Sequence, residues 1–519
     1  ALGLWLLLRL ALPQAYVLPG LWVTLLALQQ LGAGAPRWPR PSGKAAGVAL
    51  VLAVLCAAVV ALALFGGGTA IRASFHGLLH SAITEEVSRS LPPENPWLAG
   101  RPLPYYWAWH GLGALLGEAL GLAPTMALAL TNVWAALIVP LALYFLAAPF
   151  LQEPKRDLAA VLLGLFGLGA FGGILLLTRR PDFVAPGDPL QLLSGMRALV
   201  GDWDARLAWG PSKFGNLSSY PVALALLLTG WVAAAHALRG RCGGTSASGR
   251  TWAILCAASL GASLAMNPLV GAAGFGTVGL VALLHGRVAL LVALAVGAVP
   301  GVLEVLAASS VREGASFELR LDRGALWSTL LPVLPLALCA LPLLRRGDAA
   351  AALDGSGDPG ACEDRRDARA TAGHLLLVAT VACLAVAAFV VFPEDNQYKF
   401  VRLAAFPLAI LAAGGLARLV ASRDLLAKGV GVGASLLLLS ACGWSSLWGA
   451  RHYAAWSEVS VPISEAEGVL LPAPGGELEV GLRELRKLAG KLAPDQRPML
   501  LVQLADRNLS VMGHPAWAK

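Results

Sequence analysis

Residues 45–68 read AAGVALVLAVLCAAVVALALFGGG, a run without a single charged side chain. About 20 helical residues cross a hydrocarbon core about 30 Å thick, so this run is long enough to span a bilayer. In lipid every backbone amide must find its partner within its own segment, which makes such a run a helix. Working outward, comparable apolar runs occupy 12–31, 104–122, 124–148, 158–178, 217–238, 251–267, 269–285, 287–308, 326–344, 373–392, 400–420 and 429–448. The alternating ten-residue strands of a membrane barrel are absent. The expected fold is therefore an all-α polytopic membrane protein with about 12–13 transmembrane helices.

Composition agrees. The 519 residues are 57% hydrophobic and 13% charged, where soluble domains carry about 25% charge. The net charge of +8 resides largely in short loops and is an orientation signal, not a nucleic-acid footprint. Three such loops are basic: 34–44 with Arg37, Arg40 and Lys44; 239–250 with Arg239, Arg241 and Arg250; and 418–428 with Arg418, Arg423 and Lys428. The positive-inside rule puts all three in the cytoplasm. Loop 69–103, segments 309–325 and 393–399 and the tail after 449 then fall outside, in an inner (plasma) membrane setting. The seven cysteines are scattered and show no metal-ligand spacing, so they read as small apolar residues.

Domain organisation follows from these runs. Residues 1–450 form a multi-span domain with a large first extracytoplasmic loop, 69–103. Residues 345–372, mixed in charge and rich in Gly, Asp and Ala, are expected to be a flexible cytoplasmic linker. Residues 451–519 are expected to be a small extracytoplasmic α/β appendage, with leucines at helical spacing over 477–492 and a strand-like stretch at 499–503. One count fails: four apolar runs separate the outer loop 69–103 from the inner loop 239–250, where an odd number is required. Loop 179–216, too polar for lipid, is the suspected break and is placed outside.

Chemistry-bearing residues concentrate in the first outer loop. His76, His80, Ile83 and Val87 share one face of a helix that should lie along the membrane surface, with Glu86 on its flank and Glu85 pointing away. PPENP at 92–96 then forces an extended turn. Tyr105, Tyr106, Trp107 and Trp109 suit the headgroup level, and His110 enters the next apolar run, where a titratable group is costly without a partner. His76 and His80 at i,i+4 are candidate metal ligands or phosphate brackets, the alternative being ordinary interfacial polar residues.

The stretch PPENPWLAGRPLPYYWAWH, preceded by HGLLHSAI, resembles a large group of multi-span membrane proteins related to the C-type (GT-C) glycosyltransferases, which use lipid-linked phosphosugars. PEDNQYKFVR at 393–402 and SKFGNLSSYP at 212–221 look like that group too. The resemblance implies transfer of a sugar from a polyprenyl-phosphate donor to an acceptor outside the membrane, in the cell envelope. It further implies an outer-loop carboxylate as base and a divalent metal near the donor phosphate. In this chain Arg72, Ser74 and His76 stand where the family's early loop acid is usual, which leaves Glu85, Glu86 and Glu94, with Glu86 and Glu94 preferred. His76, His80, Tyr105, Tyr106 and His110 would shape the acceptor site. Lys399 and Arg402, with Asp395 at the same mouth and Lys213 in support, would meet the donor phosphate. The bland reading of Asp395 and Lys399 is an i,i+4 ion pair. Two further readings stay open: a non-catalytic structural subunit of a larger membrane complex, or a lipid or solute transporter.

Overall fold

The computed structural model describes residues 43–65, 75–95, 98–103, 105–151, 153–171, 174, 214, 217–239, 247–309, 318–319, 323–344, 359–392, 396 and 398–457. The expected span at 12–31, the stretch 477–503 and the residues Lys213 and Asp395 lie outside these.

The apolar runs become α1 (Gly43–Phe65), α4 (Pro124–Leu151), α5 (Pro154–Phe166, continued by a 3₁₀ turn at Gly167–Gly169), α6 (Tyr220–Arg239), α7 (Ala247–Met266), α8 (Pro268–Leu284), α9 (Val288–Ser309), α10 (Arg323–Leu344), α11 (Pro359–Phe389), α12 (Tyr398–Val420) and α13 (Leu425–Ser457). The outer loop supplies α2 (Phe75–Arg89), and α3 is Ala108–Leu120. Among the described residues the only strands are two short antiparallel pairs, β1 (Glu94–Asn95) with β2 (Leu98–Pro102) and β3 (Glu318–Leu319) with β4 (Val390–Val391). The fold is all-α. Among the described residues, six helices are long and apolar enough to cross a membrane by length and composition: Ala46–Phe65, Pro124–Leu151, Tyr220–Leu238, Val288–Leu306, Tyr398–Val420 and Leu425–Gly443. Pro268–Leu284, Thr329–Leu343 and Gly373–Phe389 are shorter apolar helices.

Local signals set the boundaries. Pro124, Pro154 and Pro268 open their helices, where a missing N–H costs nothing. The Asn267 carboxamide oxygen caps α8 by accepting from the Val270 amide, and its Nδ2 donates to Ser219 Oγ at the start of α6. Gly121 and Gly286, at φ 65° and 61°, close α3 and α8 in the left-handed conformation that glycine adopts without strain.

α4, α6 and α12 form the interior, while α1, α9 and α13 turn leucines and valines such as Leu55, Val296 and Leu437 outward. In lipid, burial does not drive such helices together; close packing does, and small residues allow it. Gly261 of α7 packs directly on the Gly297 carbonyl of α9, and Gly415 of α12 on the Cys339 carbonyl of α10.

Contacts between helix ends show which termini share a level. Gly373 packs on Phe150, and Gly414 on Leu151 and Leu343, so the C-terminal end of α4 lies with the ends of α10, α11 and α12 that flank the polar stretches 345–372 and 418–428. Arg418 donates to the Pro342 carbonyl at that level, and Arg287 to the Leu238 carbonyl. This is the basic end. At the opposite, loop end, β3 pairs with β4, Ser219 meets Asn267, and Glu304 of α9 meets the N-terminus of α3.

Three expectations change. The 104–122 run does not cross: α3 has 13 residues, about 20 Å of helix against a core of about 30 Å. Both its ends stay at the loop end, because α4 leaves from there and runs to the basic end. Among the described residues α4, α5 and α6 then lie between 69–103 and 239–250, and the suspected break, loop 179–216, falls mostly outside the described residues. Second, residues 359–372, expected within a flexible linker, are the opening turns of the 31-residue α11. Third, α13 carries on to Ser457, into the expected appendage.

Candidate functional site

At the loop end, α2 lies across the α3–α4 hairpin. Ser81, Ala82, Ile83, Thr84 and Val87 are buried, so the expected surface helix is packed along one side against protein. Ser81 Oγ is 2.8 Å from Thr125 Oγ1, and Thr84 lies against Gly113, where a side chain would clash. This contact brings together two histidines thirty positions apart: His80 Nδ1 lies 2.9 Å from His110 Nε2, with both rings fully buried. Around them stand Tyr105, at ring-centroid distances of 5.9 Å from His80 and 5.8 Å from His110, and Trp109, edge-on to His80 at 5.0 Å. Tyr105 stacks on Tyr106 at 4.3 Å and donates to its hydroxyl. Trp109 is buried, its Nε1 donating to Thr131 Oγ1, so it is a core residue and not part of an aromatic belt.

The N-terminus of α3 is held in trans. Glu304 Oε1 accepts from the Trp107 amide at 2.6 Å and the Ala108 amide at 2.7 Å. First-turn amides have no intrahelical partner, and a carboxylate there also meets the positive end of the helix dipole. Sequence reasoning passed over Glu304. Its signal was present, since it is the one acidic residue in the apolar run of α9.

The preferred carboxylates are placed differently. Glu86, partly buried, accepts from Ser90 Oγ at 2.7 Å near the end of α2. Glu85 pairs with Arg89 across one turn at 2.9 Å. Glu94 is exposed on β1. His76 lies in the first turn of α2.

A second group forms where α12 begins. The Lys399 amide donates to the Asn396 carbonyl, with its side chain partly exposed, while Arg402, one turn further in, is 4% exposed. Tyr398, on the same helix, is buried, and so is Tyr220 at the start of α6. Arg402, Tyr398 and Cys383 lie within electrostatic reach of the Tyr220 hydroxyl, which has no hydrogen-bond partner among the described residues. Sequence reasoning found Arg402 but neither tyrosine. The resemblance implies a divalent metal; among the described residues no group of three or more His, Cys, Asp or Glu side chains is gathered to hold one.

No protein-family model matches the sequence, and no curated protein matches it. Among solved structures the chain is similar to ArnT from Cupriavidus metallidurans, crystallised bound to undecaprenyl phosphate. The two are 12% identical with a TM-score of 0.43, over 87% of this chain and 82% of that one. A likeness this distant transfers no residue and no activity.

Proposed function

We propose that this chain is a membrane glycosyltransferase, which moves a sugar from a polyprenyl-phosphate donor to an acceptor hydroxyl on the extracytoplasmic side. The observation that carries the reading is Arg402, a guanidinium buried one turn inside a spanning helix beside the Tyr220 and Tyr398 phenols. An ionisable group at that depth is costly, and by default it marks a functional position. The resemblance of 75–110 and 393–402 to the C-type glycosyltransferases supports the same reading. So does the common level of the described parts of those stretches at the loop end, opposite the basic loops, where the positive-inside rule expects the outer face.

In the proposed reaction a loop carboxylate, Glu86 or Glu94, takes the proton of the acceptor hydroxyl. The oxygen attacks the anomeric carbon as the bond from that carbon to the phosphate oxygen breaks. The departing polyprenyl phosphate keeps the electron pair, and Lys399 and Arg402 stabilise its charge, with Tyr220 donating a hydrogen bond. The Tyr105–Tyr106 stack offers the acceptor an aromatic face. Lys213, outside the described residues, is a further cation for the donor.

A second reading has its own support. His80, His110 and Trp109 are wholly buried against one another, as in a scaffold packed for stability, which suits a structural subunit of a larger assembly.

The test is release of polyprenyl phosphate from a panel of polyprenyl-phosphosugars by the purified protein in nanodiscs, a readout that does not require knowing the sugar. Arg402→Gln and Lys399→Gln are each expected to lose about a hundredfold in turnover, with Arg402→Lys recovering part of it. Turnover by the wild type that neither Gln variant lowers, or fixed-stoichiometry co-purification without turnover, would overturn the enzyme reading.

A further inference from the structure

The basic end holds a cluster that sugar transfer does not use. Gly286 closes α8, and the Arg287 amide reaches back to the Ala282 carbonyl, which puts His285 and Arg287 on a tight turn before α9. His285 Nε2 stands 3.1 Å from Nδ1 of His374, which projects from α11. Arg287 Nη2 donates to the Leu238 carbonyl at the end of α6 at 2.9 Å. Three elements thus converge with three basic side chains, and among the described residues none of the three forms an ion pair with a carboxylate.

A purely structural role explains only part of this. Capping the last carbonyls of α6 occupies one nitrogen of Arg287. Its Nε is buried without a hydrogen-bond partner among the described residues, although a guanidinium carries five donors. Burial foremost, then His374 and Arg287, hold the proton affinity of His285 below its ordinary value. The turn is also flanked by apolar side chains that face outward: Leu283, Leu284 and Val288 are each at least 65% exposed. Leu377 and Val381, three and seven positions on from His374, continue an outward apolar stripe along α11. Positive charge at a helix end, directly above exposed hydrocarbon side chains, matches one chemistry on both counts.

We propose that the α8–α9 turn and the adjoining end of α11 bind an anionic phospholipid, with Arg287, His285 and His374 holding the headgroup phosphate and an acyl chain along Leu377 and Val381. Basic pockets between spanning helices recognise lipid headgroups in this way. The site is independent of any sugar transfer at the opposite end and of which membrane face the basic end occupies.

Native mass spectrometry of the purified full chain would test it, titrating with phosphatidylglycerol and with phosphatidylcholine. The wild type is expected to bind phosphatidylglycerol about fivefold more tightly, and Arg287→Gln to abolish the preference. His374→Gln removes one exposed imidazole without touching the Leu238 contact, so it should lower the preference even if Arg287→Gln fails to fold. Equal affinity of the wild type for both lipids, or an undiminished preference in His374→Gln and in folded Arg287→Gln, overturns the proposal. Displacement of phosphatidylglycerol by millimolar inorganic phosphate alone would also overturn it, in favour of a free-phosphate site.

Discussion

His80 Nδ1 and His110 Nε2 meet at 2.9 Å in a fully buried contact that fastens the outer-loop helix α2 to the short helix α3. One ring donates its N–H to the lone pair of the other. Replacing His110 by Leu leaves a His80 nitrogen facing hydrocarbon, at a cost of about 1–3 kcal/mol. Replacing both by Leu should cost less than the sum of the single changes, with a coupling of about 0.5–3 kcal/mol. Thermal unfolding of the four proteins in one detergent measures it, and additive losses would mean that the contact is not an energetic unit.

Glu304 gives α3 its anchor through the Trp107 and Ala108 amides. Glu304→Gln keeps an acceptor oxygen and loses only the charge at the helix terminus, about 0.3–2 kcal/mol. Glu304→Leu orphans two amides and should be clearly the worse of the two. Hydrogen exchange over residues 105–112 is the local readout, and it should speed up in Glu304→Leu far more than in Glu304→Gln.

Asp157 supplies a pH dependence. It lies in the first turn of α5 at the basic end, ahead of the spanning stretch, and is 3% exposed. Burial foremost, with Glu153 adding and Arg156 opposing, pushes its pKa up to about 7. The folded state therefore holds this proton more tightly than the unfolded chain, whose Asp has a pKa near its ordinary 3.8. The sign follows: this group's contribution to stability falls as pH rises from about 4 to about 7 and stays low above that. Asp157→Asn should raise the melting temperature at pH 8 and have little effect near pH 4. An equal shift at both pH values would contradict the assignment.

Gly415 tests the packing. A Cβ there would come within 2.0 Å of the Cys339 carbonyl oxygen, a backbone atom that moves only if α10 and α12 separate. Gly415→Ala should cost about 1–3 kcal/mol or more. Gly433→Ala, where nothing lies within 4 Å of the new methyl, should be neutral or stabilise by about 0.4–1 kcal/mol. The yield of monodisperse protein and its melting temperature separate the two outcomes.

The all-α polytopic architecture was legible from the sequence because the length of an apolar run and the need to satisfy its backbone leave lipid no other solution. The helix carrying His76 and His80, and the boundaries at Pro124, Pro268 and Gly121, follow from local rules that act within a turn or two. Hydropathy has no sense of direction, however. Residues 104–122 carry enough apolar side chains to look like a crossing, and only the three-dimensional path shows a 13-residue helix beginning and ending at one level. Tertiary structure alone joined His80 to His110, Glu304 to the amides of α3, and Tyr220 to the neighbourhood of Arg402. Each of these depends on which helices become neighbours, and that is decided by close packing among glycines and alanines far apart in the chain, which no local pattern encodes.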